Sequence, residues 1–426
     1  MEGVVILLKR IGNIYEKIAS LDNCIQAVIN ATRYKKKRNR PGTKVFDYTT
    51  NPQYYGHLIQ QILINKEFEP SKPNHFFIRE GIKKKQREIY APKLFPDQMV
   101  HWAIIQVVGP MLLNSFYEYS CGSLPQRGPS LVRKYLSSKL AIDTEHHKKV
   151  RSIYKYCLKL DIHHFFQSIN RDIMMKILES KFKDRDLLHL LRNIIYMPDI
   201  GTGLPIGFYT SQWMANLYLD KFDHWLKKRL AQDFSDSIYI RYVDDLVIVA
   251  SNKRKLLRIK DEIAEYLKTN LDLTLKYDTN DQIFDIGKRP IDFIGFKFTY
   301  GHTTTRNSIF RNAIKSEKEL NNQKYCVHNL SSVISYNGWL NASDCYTAKH
   351  ELYSHSDKFY KKKLKIAQQD PAYSKQINKL VKISELRRSI YEMGKESLAD
   401  GYVSRYVTEK TDNGYKITLA DKIKIA

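Results

Sequence analysis

Three aspartates stand where this chain could carry metal-dependent chemistry. Asp244 and Asp245 are adjacent, between the apolar runs IYIRY and LVIVA, and Asp161 ends the run YKYCLKLD. In a plain strand neighbouring side chains point to opposite faces, so an adjacent pair shares one site only where the backbone turns. The flanking runs read as two buried strands, which puts Val243-Asp244-Asp245 at a hairpin tip. Buried carboxylates without a counter-charge are costly, and divalent cations are the natural compensation. If YKYCLKLD pairs beside the hairpin, Asp161 shares the metals and the Ile162 carbonyl offers a further oxygen ligand. Two Mg²⁺ ions about 4 Å apart, with Mn²⁺ as an alternative, would activate a hydroxyl nucleophile and stabilise a leaving pyrophosphate, which is what nucleotidyl transfer requires. Catalysis would then rest on metals and positioning rather than on a side-chain nucleophile. Taken alone, Asp-Asp reads better as a turn signal.

The elements around the aspartates must therefore decide. The β-rich runs 154–162 and 237–250 alternate with 211–230, where Met214, Leu217, Tyr218, Phe222, Trp225 and Leu226 recur at helical spacing. Strands that pack helices on one face predict an α+β centre. Upstream, residues 1–33 read as helix, the basic run Arg33–Arg40 as a linker or an RNA contact, and 54–64 as helix. HFFIREG and REIYAP read as a strand pair about Lys83-Lys84-Lys85, a basic face for phosphates, and 97–116 as an amphipathic helix. After Tyr300 the chain is basic and helical to about Glu396, and the last stretch suggests a small hairpin. No internal repeat is visible.

The whole chain has 426 residues, 70 Lys and Arg against 45 Asp and Glu, and a formal charge of +25. Such an excess attracts polyanions, so nucleic acid is the first partner to consider. Aromatics interleaved with cations, as in Lys358-Phe359-Tyr360-Lys361, suit stacking on single-stranded bases and ordinary helix packing alike. The five cysteines are scattered, without C-x-x-C or a zinc spacing, which fits a reducing, cytoplasmic setting. No apolar stretch is long enough for a membrane span, and MEGVVILLKR is too short for a signal segment.

Five motifs in order across residues 83–298 resemble those of reverse transcriptases. Tyr242-Val243-Asp244-Asp245 matches the Y-x-D-D box, LKLDIHHFFQSI (158–169) the first aspartate motif, and GLPIGFYTSQ (203–212) the template-and-nucleotide loop. PIDFIGFKF (290–298), with Phe293 and Gly295, looks like the primer-grip hairpin, and KKKQREIYAPK (83–93) resembles the fingers strand that places a triphosphate-binding arginine, here Arg87. SYNGWLNASD (335–344) is similar to a thumb helix of bacterial relatives. The resemblance implies an α+β right-hand polymerase with fingers, a palm with an antiparallel sheet and helices, and a helical thumb. The expected divisions are an N-terminal helix and basic linker (1–40), fingers (41–155), palm (156–298, with a fingers insertion at about 171–202), helical thumb (299–375) and a C-terminal extension (376–426). It implies RNA-directed DNA synthesis from dNTPs on a structured RNA template with a nucleic-acid primer, and it leaves protein partners open.

Within the superfamily, Ile206 before Gly207 and Ser211-Gln212 after it resemble the bacterial defence-associated "unknown group" and diversity-generating retroelement enzymes. The first implies a dedicated non-coding RNA and a role against phage; the second is the alternative. A reading of another class is an RNA-binding scaffold that has lost its chemistry, and an RNA-dependent RNA polymerase is a second enzymatic reading.

The same resemblance gives Phe166 the role of an aromatic gate against a 2′-hydroxyl, which disfavours ribonucleotides, and places Tyr242 beside the nucleotide. Gly207 leaves room for close backbone approach to nucleotide or template. Gln212 is expected either to donate to the template or to cap its helix. Arg87 would grip the triphosphate bidentately. A pyrophosphate-protonating lysine is expected after the catalytic hairpin; Asn280 occupies the usual place, and Lys276 is the substitute. His163 and His164 lack a third ligand and read as turn or template-facing residues.

Overall fold

The computed structural model describes residues 10–33, 35, 41–80, 85–142, 147–198, 200–276, 282–322, 326–353, 355, 357–367, 371–411 and 414–425. The N-terminal reading of one helix is replaced by two, α1 (Tyr15–Ile18) and α2 (Leu21–Thr32), because Ser20 adopts extended geometry between them. Most of the basic run after Arg33 lies outside the described residues. Helices α3 (Lys44–Thr50) and α4 (Pro52–Ile64) follow, the first capped by the Thr43 side chain on Phe46 N.

The strand pair is present as a two-stranded ribbon, β1 (Asn74–Glu80) with β2 (Lys85–Ala91), in which Ile78 faces Arg87. The expected basic turn at its tip, Lys83 and Lys84, lies outside the described residues, and Lys85 is described only as the backbone that pairs with Glu80. Helix α5 (Met99–Ser115) is buried along most of its length.

The catalytic sheet has five strands in the order β3-β5-β6-β4-β7. Chain order brings β3 (Ser120–Cys121), α6 (Pro129–Lys139), α7 (His147–Ile153) and β4 (Tyr156–Asp161) before the turn helix α8 (Phe165–Ser168). The pair α9 (Arg171–Lys181) and α10 (Arg185–Ile195) is inserted next. The helix expected over 211–230 is two, α11 (Tyr209–Tyr218) and α12 (Asp220–Asp233), with Leu219 leaving helical geometry between them. Strands β5 (Ile238–Tyr242) and β6 (Asp245–Ala250) form the hairpin, followed by α13 (Lys253–Leu271) and the edge strand β7 (Ile283–Asp285).

One expectation about this sheet is corrected. Helices were expected on one face, but both faces are covered. Leu158, Leu160, Leu246, Ile248 and Ala250 enter the large core with α9 to α13. Cys157, Val247 and Val249 point the other way, into a second core with α6 and the next sheet. Burial on both sides is why LVIVA is apolar throughout instead of alternating with polar residues.

The second sheet is a meander of β8 (Ile291–Phe293), β9 (Phe296–Thr299) and β10 (His302–Thr305). Helices α14 (Asn307–Asn322), α15 (Val327–Asn341), α16 (Tyr346–Leu352) and α17 (Asp357–Ala367) pack on it and on one another, with Trp339 of α15 against Phe296 at 5.1 Å between ring centres. The long α18 (Pro371–Ala399) and the hairpin of β11 (Tyr402–Thr411) and β12 (Gly414–Lys424) end the chain. No helix is long and apolar enough to cross a membrane among the described residues.

Candidate active site

The three aspartates meet at the end of the catalytic sheet. Asp161, the last residue of β4, lies directly across from Asp245, the first of β6. Asp244 is in the turn, where Val243 takes a left-handed φ of 60°. That conformation is costly for a β-branched residue and is held from several sides. Val243 N donates to Cys121 O at 3.0 Å. Its carbonyl accepts from Arg241 Nη1 at 2.8 Å, and Asp244 O accepts from Ile162 N at 3.2 Å.

Arg241 is fully buried, and its guanidinium is saturated. Its Nε and Nη2 grip Asp223 at 2.7–3.1 Å, Nη2 also reaches Ser120 Oγ, and Nη1 reaches Asn216 Oδ1. The Tyr239 hydroxyl donates to the same Asp223 carboxylate at 2.5 Å. Asn216 returns a bond to Gly122 O at 3.3 Å, so α11, β3 and the catalytic turn share one hydrogen-bonded network. A buried ion pair adds little net stability but fixes geometry when every donor is satisfied. The sequence reading passed over Arg241 and Asn216. A charged residue inside the apolar run IYIRY was the signal for the first.

A cleft of about 350 Å³ opens in front of the turn. Its floor includes Asp161, Ile162, Phe166, Asp244 and Lys276, and its opposite wall is the ribbon, with Phe77, Gln86, Arg87 and Glu88. Residues far apart in sequence are thus brought to one cavity. Lys276 is tied in by its own backbone, whose N–H donates to Asp161 O at 2.8 Å. His163 and His164 line the cleft too, their rings 4.1 Å apart, and His164 takes a φ of 43° to start α8.

Asp245 lies beside this cavity rather than in its lining. Burial, first, and then the charges of Asp244 and Asp161 push its carboxyl up to about 6, against the pull of Lys159 and Arg306. The Lys159 ammonium donates to Asp292 O at 3.0 Å and lies 5.8 Å from the Phe293 ring, so it stands between the aspartates and the β8–β9 turn. Lys159 is a third residue that the sequence reading did not single out; its place two residues before Asp161, on the same strand face, was the available signal.

A divalent cation would suit this crowding. Among the described residues no three His, Cys, Asp or Glu side chains close round a single point. Asp161 and Asp244 nevertheless offer hard oxygen donors to one cavity, next to the Ile162 backbone, and Asp245 is held protonation-prone beside them by burial first and then by like charge. That donor chemistry matches Mg²⁺, which keeps several of its own waters and takes few carboxylates.

The remaining expected residues occupy varied places. Tyr242 ends β5 opposite Asp245, half-buried, and burial raises its hydroxyl above the ordinary range. Gly207 has a φ of 121°, and a Cβ there would meet the Tyr90 carbonyl at 2.4 Å. What it admits in this structure is the backbone of β2, whose Tyr90 N–H donates to Ile206 O at 2.8 Å. Gly203, also of left-handed φ, similarly admits the Phe166 and Gln167 backbone. Gln212 lies in the second turn of α11, away from the cap position, which no side chain fills. Phe293 is 1% exposed and faces the core, so any contact it made to a primer would come from its backbone; Gly295, in the turn, lies against the Trp339 ring. Asn280 lies outside the described residues.

Comparison with known proteins agrees with this geometry. Residues 83–298 match the family described as "Reverse transcriptase (RNA-dependent DNA polymerase)", which is half of the chain. Protein YkfC of Escherichia coli (strain K12) is 23% identical over 276 residues, covering 55% of this chain and 70% of that protein. Retron Ec73 reverse transcriptase of Escherichia coli is 32% identical over 109 residues, covering 23% of this chain, and the chain spans only 34% of that relative's length. A telomerase structure from Candida albicans, in complex with a telomeric RNA fragment, superposes with a TM-score of 0.43 at 13% identity, covering 70% of this chain and 57% of that one. With the matched segment running unbroken from the ribbon through the aspartates to the β8–β9 hairpin, the chain belongs to the reverse transcriptase (RNA-dependent DNA polymerase) family, an α+β right-hand polymerase.

Proposed function

We propose that the protein copies an RNA template into DNA from dNTPs, with two Mg²⁺ ions as cofactors. The observation that carries this reading is the shared cleft: Arg87, from the ribbon, lines it together with Asp161, Asp244, Phe166 and Lys276. In this proposal Asp161, Asp244 and the Ile162 carbonyl hold the metals most directly, with Asp245 in support. Bound there, the ions would supply an activated primer 3′-hydroxyl and charge neutralisation at the leaving pyrophosphate.

The chain's own residues do the rest. The Arg87 fork holds triphosphate oxygens bidentately and so fixes the approach of the α-phosphorus. Phe166 sits under the sugar and selects against a 2′-hydroxyl. Lys276, anchored by its backbone to the aspartate strand, is positioned to give a proton to pyrophosphate. Tyr242, Gly207 and Gln212 complete the nucleotide side; Lys83 to Lys85 and the turn of Phe293 and Gly295 serve the nucleic-acid backbone. The division into fingers (41–155), palm (156–298), thumb (299–375) and C-terminal extension (376–426) belongs to the same proposal.

The resemblance around Ile206, Gly207 and Gln212 supports a finer reading. A dedicated non-coding RNA serves as template, and the cDNA acts in bacterial anti-phage defence, in the cytoplasm. Purified protein should incorporate dNTPs on a primed RNA template only with Mg²⁺ or Mn²⁺, and Asp244→Ala with Asp245→Ala should abolish it. Robust synthesis by that double variant would sink the assignment. Phage plating on cells that carry either form tests the defence role, and a phenotype indifferent to the aspartates would favour the scaffold reading instead.

A further inference from the structure

The C-terminal extension returns to the other end of the molecule and docks on α3 and α4, more than 350 residues away in sequence. Arg405 of β11 donates to the Asp47 carboxylate through Nε at 3.1 Å and Nη2 at 2.8 Å, in a half-buried setting. Asn51 pairs with the Tyr406 backbone as a neighbouring strand would, accepting from its N–H at 2.6 Å and donating to its carbonyl at 2.9 Å. Ile390 of α18 is fully buried against Phe46. Gly394, towards the C-terminal end of α18, is where a Cβ would come within 2.9 Å of Gln53 Oε1 of α4. A glycine inside a helix costs stability, so its presence at the point of closest approach is consistent with a fitted contact.

The two ends of this connection matter. The platform, α3 and α4, is the root of the ribbon: Tyr48 and Tyr55 hold Phe95, just beyond β2, at 5.8 and 5.6 Å between ring centres. The other end follows α17 in the chain, with residues 368–370 between them outside the described residues; α17 packs on α15, and α15 sits on the β8–β9 hairpin through Trp339. The ribbon forms one wall of the aspartate cleft, and the β8–β9 turn approaches the aspartates through Lys159. The helix between them has 29 residues, which spans about 43 Å at 1.5 Å per residue. None of the catalytic-sheet strands packs along it among the described residues; its extended contacts are with α3, α4 and β11. It carries six Lys or Arg against three Glu, and α17 before it carries five Lys against one Asp, so the tie is electropositive.

We propose that α18 and the β11–β12 hairpin form an intramolecular latch that ties the thumb to the fingers, limits how far the cleft opens, and so retains the primer–template duplex between successive additions. This rests on the polymerase reading of the cleft. A tether acts by keeping the two bodies at high effective concentration, so its loss affects release of the duplex rather than chemistry at the aspartates.

The test compares the full-length protein with Arg405→Ala, with Gly394→Leu and with the double variant, on an RNA template annealed to a DNA primer. Hydrogen exchange at β11 and α3 reports whether the latch has opened. Dissociation of labelled duplex, chased with unlabelled duplex in the absence of dNTPs, should speed up by about tenfold in the double variant, in keeping with affinity changes that fall on the off-rate. Product length in a single encounter, with heparin as trap, should shorten several-fold, while the rate of the first addition stays within about twofold. Unchanged dissociation with an opened latch overturns the proposal, as does a first-addition rate that falls as far as product length. A latch that stays closed in the double variant overturns the assignment of these attachments. Failure of the wild type to extend any primer would instead sink the polymerase reading, and the dissociation comparison would still stand.

Discussion

At the residue scale the three candidate catalytic carboxylates are unequal. Asp161 and Asp244 line the cleft, whereas Asp245 is half-buried beside it, across the ladder from Asp161. Asp244→Asn should therefore cost on the order of 10³-fold in kcat, and Asp245→Asn on the order of 10-fold, about 3 kcal/mol of difference in barrier. Single-nucleotide incorporation under saturating template checks the ranking, and the reverse order would mean that the hairpin presents its other carboxylate. Arg241 yields a second prediction. Arg241→Lys keeps the charge near Asp223 but cannot hold Val243 O, Asn216 and Ser120 together. It should lower kcat by about tenfold or more while leaving KM for dNTP nearly unchanged, because it disturbs the turn and not the nucleotide wall. A matching rise in KM would place its role elsewhere. The aspartates were legible in the sequence because their motif is local. Arg241 was not, since its five donors find partners on β3, α11, α12 and the turn only after folding.

At the element scale the β1–β2 ribbon is tied to the loop before α11 by its backbone, Tyr90 N–H donating to Ile206 O. Gly207 admits the Tyr90 carbonyl, so Gly207→Ala should strain that approach by roughly 1–3 kcal/mol. A raised dNTP KM together with a lowered melting temperature is the expected result; a change in neither would show that the ribbon moves freely of the loop. The next contact back, between α5 and α11, is sensitive to pH. His101 is wholly buried, its Nδ1 within 2.7 Å of Thr210 Oγ1, and burial lowers its pKa from 6.5 to about 3. A base depressed in the folded state gives stability that is present above 6.5 and is lost as pH falls, because the unfolded chain binds the proton first. Between pH 7 and pH 5 that loss is about 2 kcal/mol. The melting temperature should drop less over this range in His101→Gln than in the wild type, and an equal drop would refute the assignment. The sequence reading placed β1, β2, α4 and the β5–β6 hairpin closely, since each has a clear period and a breaker. It merged α11 with α12 because Leu219, at the break, continues the apolar periodicity; what ends α11 there is packing, which no local pattern records.

At the scale of the whole molecule the relevant quantity is charge. A formal +25 spread over 426 residues does not build a fold, but it sets how the surface meets a polyanion. Exposed cations recur on helix α17, at Lys358, Lys361, Lys362 and Lys365, whereas the cleft floor holds Asp161 and Asp244. Binding of nucleic acid and chemistry on it are therefore separable. If six or more phosphates are neutralised, affinity for a primed RNA template should fall by on the order of 10³ between 50 and 200 mM salt, through counterion release. Asp161→Asn and Asp244→Asn should leave that slope unchanged and bind, in the absence of metal, at least as tightly as the wild type, because each removes a negative charge that repels the backbone. Filter binding across a salt series, without Mg²⁺, gives both numbers. A shallow slope would mean that base stacking by the interleaved aromatics carries the affinity, and weaker binding by the asparagine variants would mean that the carboxylates shape the template site as well as the metal site.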